Sequence, residues 1–176
     1  MNQVVLRSLL RARTSELHEQ LDRQVGEFAS RADYADYVTN THRFRSVIEA
    51  SLPRSDLWQI LPLADALVSD LSDLGVTSAA HRHTVDLGPS AGALGVYYVL
   101  EGSGVGARLL LRRAKAIGMS ETHGARHLAL QAGDTARWPQ FLALLETVGP
   151  DQYDAIIDGS LATFRFALEA YHQGVS

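Results

Sequence analysis

The residues best suited to chemistry in this sequence fall in two places. Arg11, Thr14, His18 and Asp22 follow one another at intervals of three or four, the spacing that puts side chains on one face of a helix. That face borders Leu10, Leu17 and Leu21, so it is either a solvated polar stripe or a ligand-bearing face backed by apolar residues. The chain has no cysteine, which rules out disulfides, iron–sulfur clusters and thiolate metal sites and leaves histidine as the obvious metal ligand. Arg11 stands seven residues before His18, about 10 Å along the helix axis and nearly in line with it. A flat macrocycle held at its centre by the imidazole would carry an acidic edge to that guanidinium, which binds a carboxylate through two parallel hydrogen bonds. Many helices share this spacing, and both readings of the face stand.

The second place is a set of glycines. Gly95, Gly102 and Gly106 are seven and then four residues apart, within a narrow arc of a helix, and Gly92 and Gly104 lie nearby. Each interior glycine costs roughly 0.8–1 kcal/mol of helix stability relative to alanine, so several together need a compensating reason. Close approach of the backbone to something flat is one reason, and tight helix–helix packing is the other.

Other motifs are weaker. Gly102-Ser103-Gly104-Val105-Gly106 has the look of a nucleotide-binding loop but follows a helical pattern and lacks the Gly-Lys-Ser/Thr ending. His81 with His83, and His123 with His127, have no carboxylates placed as a third metal ligand and read as solvated histidines. No Ser/His/Asp triad can be assigned. Trp138, Tyr153 and Phe164 read as core aromatics.

Helices must position these groups. Leu6, Leu10, Leu17, Leu21 and Val25 predict an amphipathic first helix ending near Gly26. Tyr34 through Ile48 predict a second, capped by Ser30 or Asp33 and stopped at Leu52-Pro53. A shorter helix spans about Leu61 to Leu74, and Thr77 to Ser90 reads as a long loop. A long fourth helix runs from Ser90 to Ile117 before Gly118, and two more cover Trp138 to Val148 and Asp151 to Tyr171. Strand alternation, internal repeats and low-complexity linkers are absent, which predicts an all-α bundle-like fold in one domain over 1–176.

Composition narrows the partners. The formal net charge is −4, with acids and bases interspersed, so no basic field suits nucleic acid. No apolar stretch approaches the roughly 20 residues that span a bilayer. The N-terminal run has no signal-peptide pattern, and a cytoplasmic protein is expected.

Taken together, the motifs resemble a known family. Leu6-Arg7 and the run from Leu10 through Thr14 and His18 to Leu21-Asp22 are similar to the proximal helix of bacterial heme oxygenases, in the branch that often serves bacteriophytochromes. The stretch from Ala93 through Tyr97-Tyr98-Val99-Leu100-Glu101-Gly102-Ser103 to Gly106 resembles that family's distal helix. Weaker echoes lie in Tyr34 to Leu52, Trp138-Pro139-Gln140-Phe141 and Ala162-Thr163-Phe164. The chain departs from the pattern at Gly106-Ala107, where the family usually has two glycines, and at Gly104, where a side chain is commoner.

The resemblance implies a helical bundle holding heme between the first helix and a kinked, glycine-rich distal helix. His18 would ligate the iron, and Gly102, Ser103 and Gly106 would line the distal side and steer the reaction toward a meso carbon. Arg11 would pair with a propionate, with Tyr98 or Arg165 assisting. The implied reaction opens heme to biliverdin, carbon monoxide and ferrous iron, using O₂ and electrons from a ferredoxin or flavin reductase, with a bacteriophytochrome as a possible consumer. Two other readings stay open: a heme or tetrapyrrole carrier or sensor, suggested by Ala107 and Gly104, and a helical partner-binding domain without cofactor.

Overall fold

The computed structural model describes residues 3–52, 55–77, 79 and 85–172. These form helices α1 (Gln3–Val25), α2 (Arg31–Ser51), α3 (Ala64–Asp73), α4 (Ala93–Ala116), α5 (Arg126–Gly133), α6 (Arg137–Leu145) and α7 (Tyr153–His172), with 3₁₀ turns at Ser90–Gly92 and Pro150–Gln152. No β-strand occurs among the described residues, and the all-α expectation holds. The ends follow the sequence signals. Ser30 Oγ accepts from Asp33 N at 3.1 Å to cap α2. α1 and α4 stop at Gly26 and Gly118, whose φ of 61° and 90° suits glycine.

Two expectations change. Periodicity does not announce α5, and the histidines read as solvated divide: His123 is exposed, whereas His127, on α5, is fully buried. His81 and His83 lie outside the described residues. The reason for His127 is a carboxylate. Asp70 of α3, itself fully buried, accepts from His127 Nδ1 at 2.7 Å and from the backbone N–H groups of Arg126 and His127 at 2.9 and 3.0 Å. It therefore caps the start of α5 from another helix, where Ala125 has no capping side chain. Tyr37 Oη lies 3.3 Å from His127 Nε2, so both ring nitrogens have partners.

α7 is the spine against which α1, α2 and α4 pack. Its approach to the start of α4 is backbone to backbone. A Cβ added at Gly95 would lie 1.9 Å from Ile156 O, and one at Gly159 would lie 2.2 Å from Gly92 O. Of the two reasons for the glycine arc, helix packing is thus the one that holds at Gly95. Leu6 and Leu10 of α1 join Leu94, Tyr97, Phe141 and Ile156 in one core cluster, and Tyr34, Tyr37, Leu67, Ala107 and Leu128 belong to another. Among the described residues, no helix is long and apolar enough to cross a membrane.

Both features bear on stability. Gly95→Ala drives a methyl into backbone that cannot yield, and urea unfolding should show a loss of about 3 kcal/mol or more. For pH, burial opposes the Asp70 carboxylate, but hydrogen bonds from His127 and Arg126 outweigh it and hold its pKa below the usual range. Burial lowers the His127 pKa, against the pull of Asp70. Both groups bind fewer protons folded than unfolded, so their contribution is present at neutral pH and lost on acidification. The unfolding midpoint should fall as pH drops through about 6.5 and on into the carboxylate range. His127→Gln should flatten the first part of that curve.

Candidate functional site

α1 and α4 meet at two places. At the first, the Tyr98 hydroxyl of α4 hydrogen-bonds Thr14 of α1, a residue only 3% exposed whose own Oγ1 donates to Leu10 O at 2.8 Å. At the second, Arg113 of α4 donates to Gly26 O, just past α1, at 3.2 Å. Between these crossings the two helices make no extended packing contact, although each packs on α7. His18 stands one turn beyond Thr14, and Gly102 one turn beyond Tyr98. The imidazole and the glycine-rich segment therefore leave the same crossing side by side.

The His18 side chain is 60% exposed, and its Nδ1 lies 3.0 Å from Asp22 Oδ2. Behind it, the buried Phe164 of α7 presents an edge-on ring with centroids 5.9 Å apart. With Nδ1 engaged by a carboxylate, Nε2 is the nitrogen left for a metal, in the tautomer and orientation that metal-bound imidazoles adopt. Among the described residues, no group of three His, Cys, Asp or Glu side chains could hold a metal ion.

On α4, Gly106 is exposed, and a Cβ added there would meet nothing within 4 Å. Leu109, three residues on, is 44% exposed. Gly102 is different: the Trp138 ring of α6 lies 3.6 Å from where a Cβ would stand, an ordinary van der Waals distance. Ser103, expected on the distal face, turns its hydroxyl to α5. Its Oγ donates to Leu100 O at 2.6 Å and accepts from Gln131 Nε2 at 2.9 Å.

The Thr14–Tyr98 end is cationic. Burial raises the Tyr98 pKa, and the Thr14 hydrogen bond and the charges of Arg7 and Arg11 pull it back in part. Arg11 is exposed there, and Arg165 is exposed on α7 next to Phe164 in sequence. Tyr98 also packs on Trp138, with ring centroids 5.5 Å apart. Trp138 is half-buried, as is Tyr153, so of the three expected core aromatics only Phe164 is deeply buried.

Sequence reasoning missed the groups that support the site. Glu101 takes Arg137 on both oxygens, at 2.5 and 3.0 Å, and Trp58 Nε1 at 2.8 Å, which fixes α6 and hence Trp138. Gln131 holds Ser103. These partners lie 28 to 43 residues apart, and no local pattern marks them. A cavity of about 240 Å³ lies against α4, walled there by Leu100, Glu101, Gly104, Val105 and Arg108. Neither His18 nor Gly106 lines it.

No protein-family model matches the chain. Heme oxygenase PigA of Pseudomonas aeruginosa is 36% identical over 148 residues, covering 77% of this chain and 74% of that protein. The chain belongs to the heme oxygenase family. The crystal structure of the NO- and CO-bound heme oxygenase from Neisseria meningitidis has the same fold, with a TM-score of 0.77 over 96% of this chain and 91% of that one, at 23% identity. In this heme oxygenase the two departures from the family pattern sit off the groove. Ala107 is fully buried in the core with Leu111 and Ala114, and Gly104 faces Gln131 O, 3.9 Å from its Cβ position.

Gly106→Ala separates stability from ligand access. Without ligand, the substitution should stabilise α4 by about 1 kcal/mol, raising the melting midpoint roughly 2–4 °C. Heme titration of the same variant should show weaker binding than wild type.

Proposed function

We propose that this heme oxygenase binds heme as substrate in the groove between α1 and α4, with His18 Nε2 as the axial iron ligand, and opens the ring to biliverdin, carbon monoxide and ferrous iron. The observation that carries the assignment is the pairing of an exposed, carboxylate-held imidazole with a side-chain-free Gly106 beyond a shared helix crossing. Bound heme supplies the iron at which O₂ is reduced and the ring carbon that is attacked. The protein supplies orientation and shelter.

Asp22 holds Nδ1 and so keeps Nε2 aimed and basic. Gly106 lets backbone approach the ring, while Leu109 excludes water once covered. Arg11 is the propionate partner, with Tyr98 and Arg165 assisting. Support for this lies in the convergence of the Arg7 and Arg11 charges on Tyr98, at one end of the groove. Gly102 and Ser103 act through backbone, since the Ser103 hydroxyl is committed to α5. Electrons come from an external donor, a ferredoxin or a flavin reductase, and the family resemblance makes a bacteriophytochrome a candidate consumer of the product. The carrier reading rests on Ala107 and Gly104, and neither faces the groove.

The test is anaerobic reconstitution with heme, then reductant and air. Wild type should give a histidine-ligated spectrum that converts to biliverdin. His18→Ala should lose both while keeping its helical circular dichroism, because the side chain is mostly exposed. Asp22→Asn should cost about 10–100-fold in heme affinity or turnover. An intact oxy-heme under steady electron supply would support the carrier, and heme affinity indifferent to His18 would overturn the site.

A further inference from the structure

Three glycines in the five residues Gly102–Gly106 leave this part of α4 with little intrinsic stiffness. Something outside the helix must hold it, and α5 does so from the side away from the groove. Gln131 Nε2 donates to Ser103 Oγ at 2.9 Å while that hydroxyl donates onward to Leu100 O at 2.6 Å, so Gln131 is tied through one side chain to the α4 backbone. The Gln131 carbonyl also lies 3.9 Å from where a Cβ at Gly104 would stand, which brings α5 against the glycine segment itself. α5 is a firm support. Its first turn is fixed by buried Asp70 through the Arg126 and His127 N–H groups and the His127 ring.

We infer that Gln131 is a positioning residue: through Ser103 it fixes the Gly102–Gly106 segment relative to His18, and thereby which meso carbon is attacked. The inference rests on the heme-opening reading above. It assigns Gln131 no contact with substrate. Because the link is a partly exposed hydrogen bond, its removal should barely alter global stability while loosening the segment locally.

The test uses Gln131→Leu, Ser103→Ala and the double variant. In the heme-free protein, amide hydrogen exchange over residues 102–108 should rise about fivefold in each single variant, the ratio one hydrogen bond supports. Exchange beyond Leu110 should stay unchanged. The double variant should match Ser103→Ala, because without that hydroxyl Gln131 has nothing to hold. In the heme complex, both singles should shift the ratio of biliverdin isomers in the same direction. Wild-type exchange in either single variant, or effects that multiply in the double, would overturn the tie. Faster exchange with an unmoved isomer ratio would overturn the steering role. If wild type forms no biliverdin, the functional reading fails, and the exchange data still decide whether Gln131 holds the helix.

Discussion

The contact between the backbones of α4 and α7 is the constraint from which the rest of the site follows. Gly92 and Gly95 on one helix, and Gly159 on the other, remove the side chains that would keep the two apart. With α4 seated there, Tyr98 falls opposite Thr14, one turn later, and closes one end of the groove. α7 also carries Phe164 to the back of His18. One helix thereby sets the position of both walls.

Glycines that look equivalent along a helical wheel divide the work. Gly95 serves packing, Gly102 lies beside an indole with room for a methyl, and Gly106 faces open space. Helix propensity penalises each alike, yet only at Gly95 does a backbone contact within the protein require the missing side chain. A helix of this kind is less stable by itself than its length suggests, and the bracing by α5 and α6 compensates for that deficit.

The long helices are legible in the sequence because five or six turns of apolar periodicity leave little ambiguity, and Ser30, Gly26 and Gly118 mark their ends. His18 and Gly106 are legible for the same reason, since position on a helical face is a local property. What escapes is nonlocal. α5 is eight residues long with no cap of its own, and its stabilising carboxylate sits 56 residues upstream of its first residue. His127 therefore reads as one more polar residue, and the Ser103 hydroxyl reads as facing the groove because nothing nearby in sequence announces Gln131. The start of α3 reads too early for a related reason: Leu63 and Ala64 N–H groups are taken by Glu49 of α2, which sets where the helix begins.

The borrowed cap has a bearing on the order in which the chain assembles. An eight-residue segment of this composition cannot persist as a helix in water by itself, and its anchoring acid becomes available only once α3 has docked on α2. The loop closed between Asp70 and Arg126 encloses all of α4, so the docking of α5 on α3 depends on how α4 is placed between them. The part of the molecule that braces the glycine-rich segment is thus joined to the rest through contacts of long sequence separation and orders only with the tertiary fold.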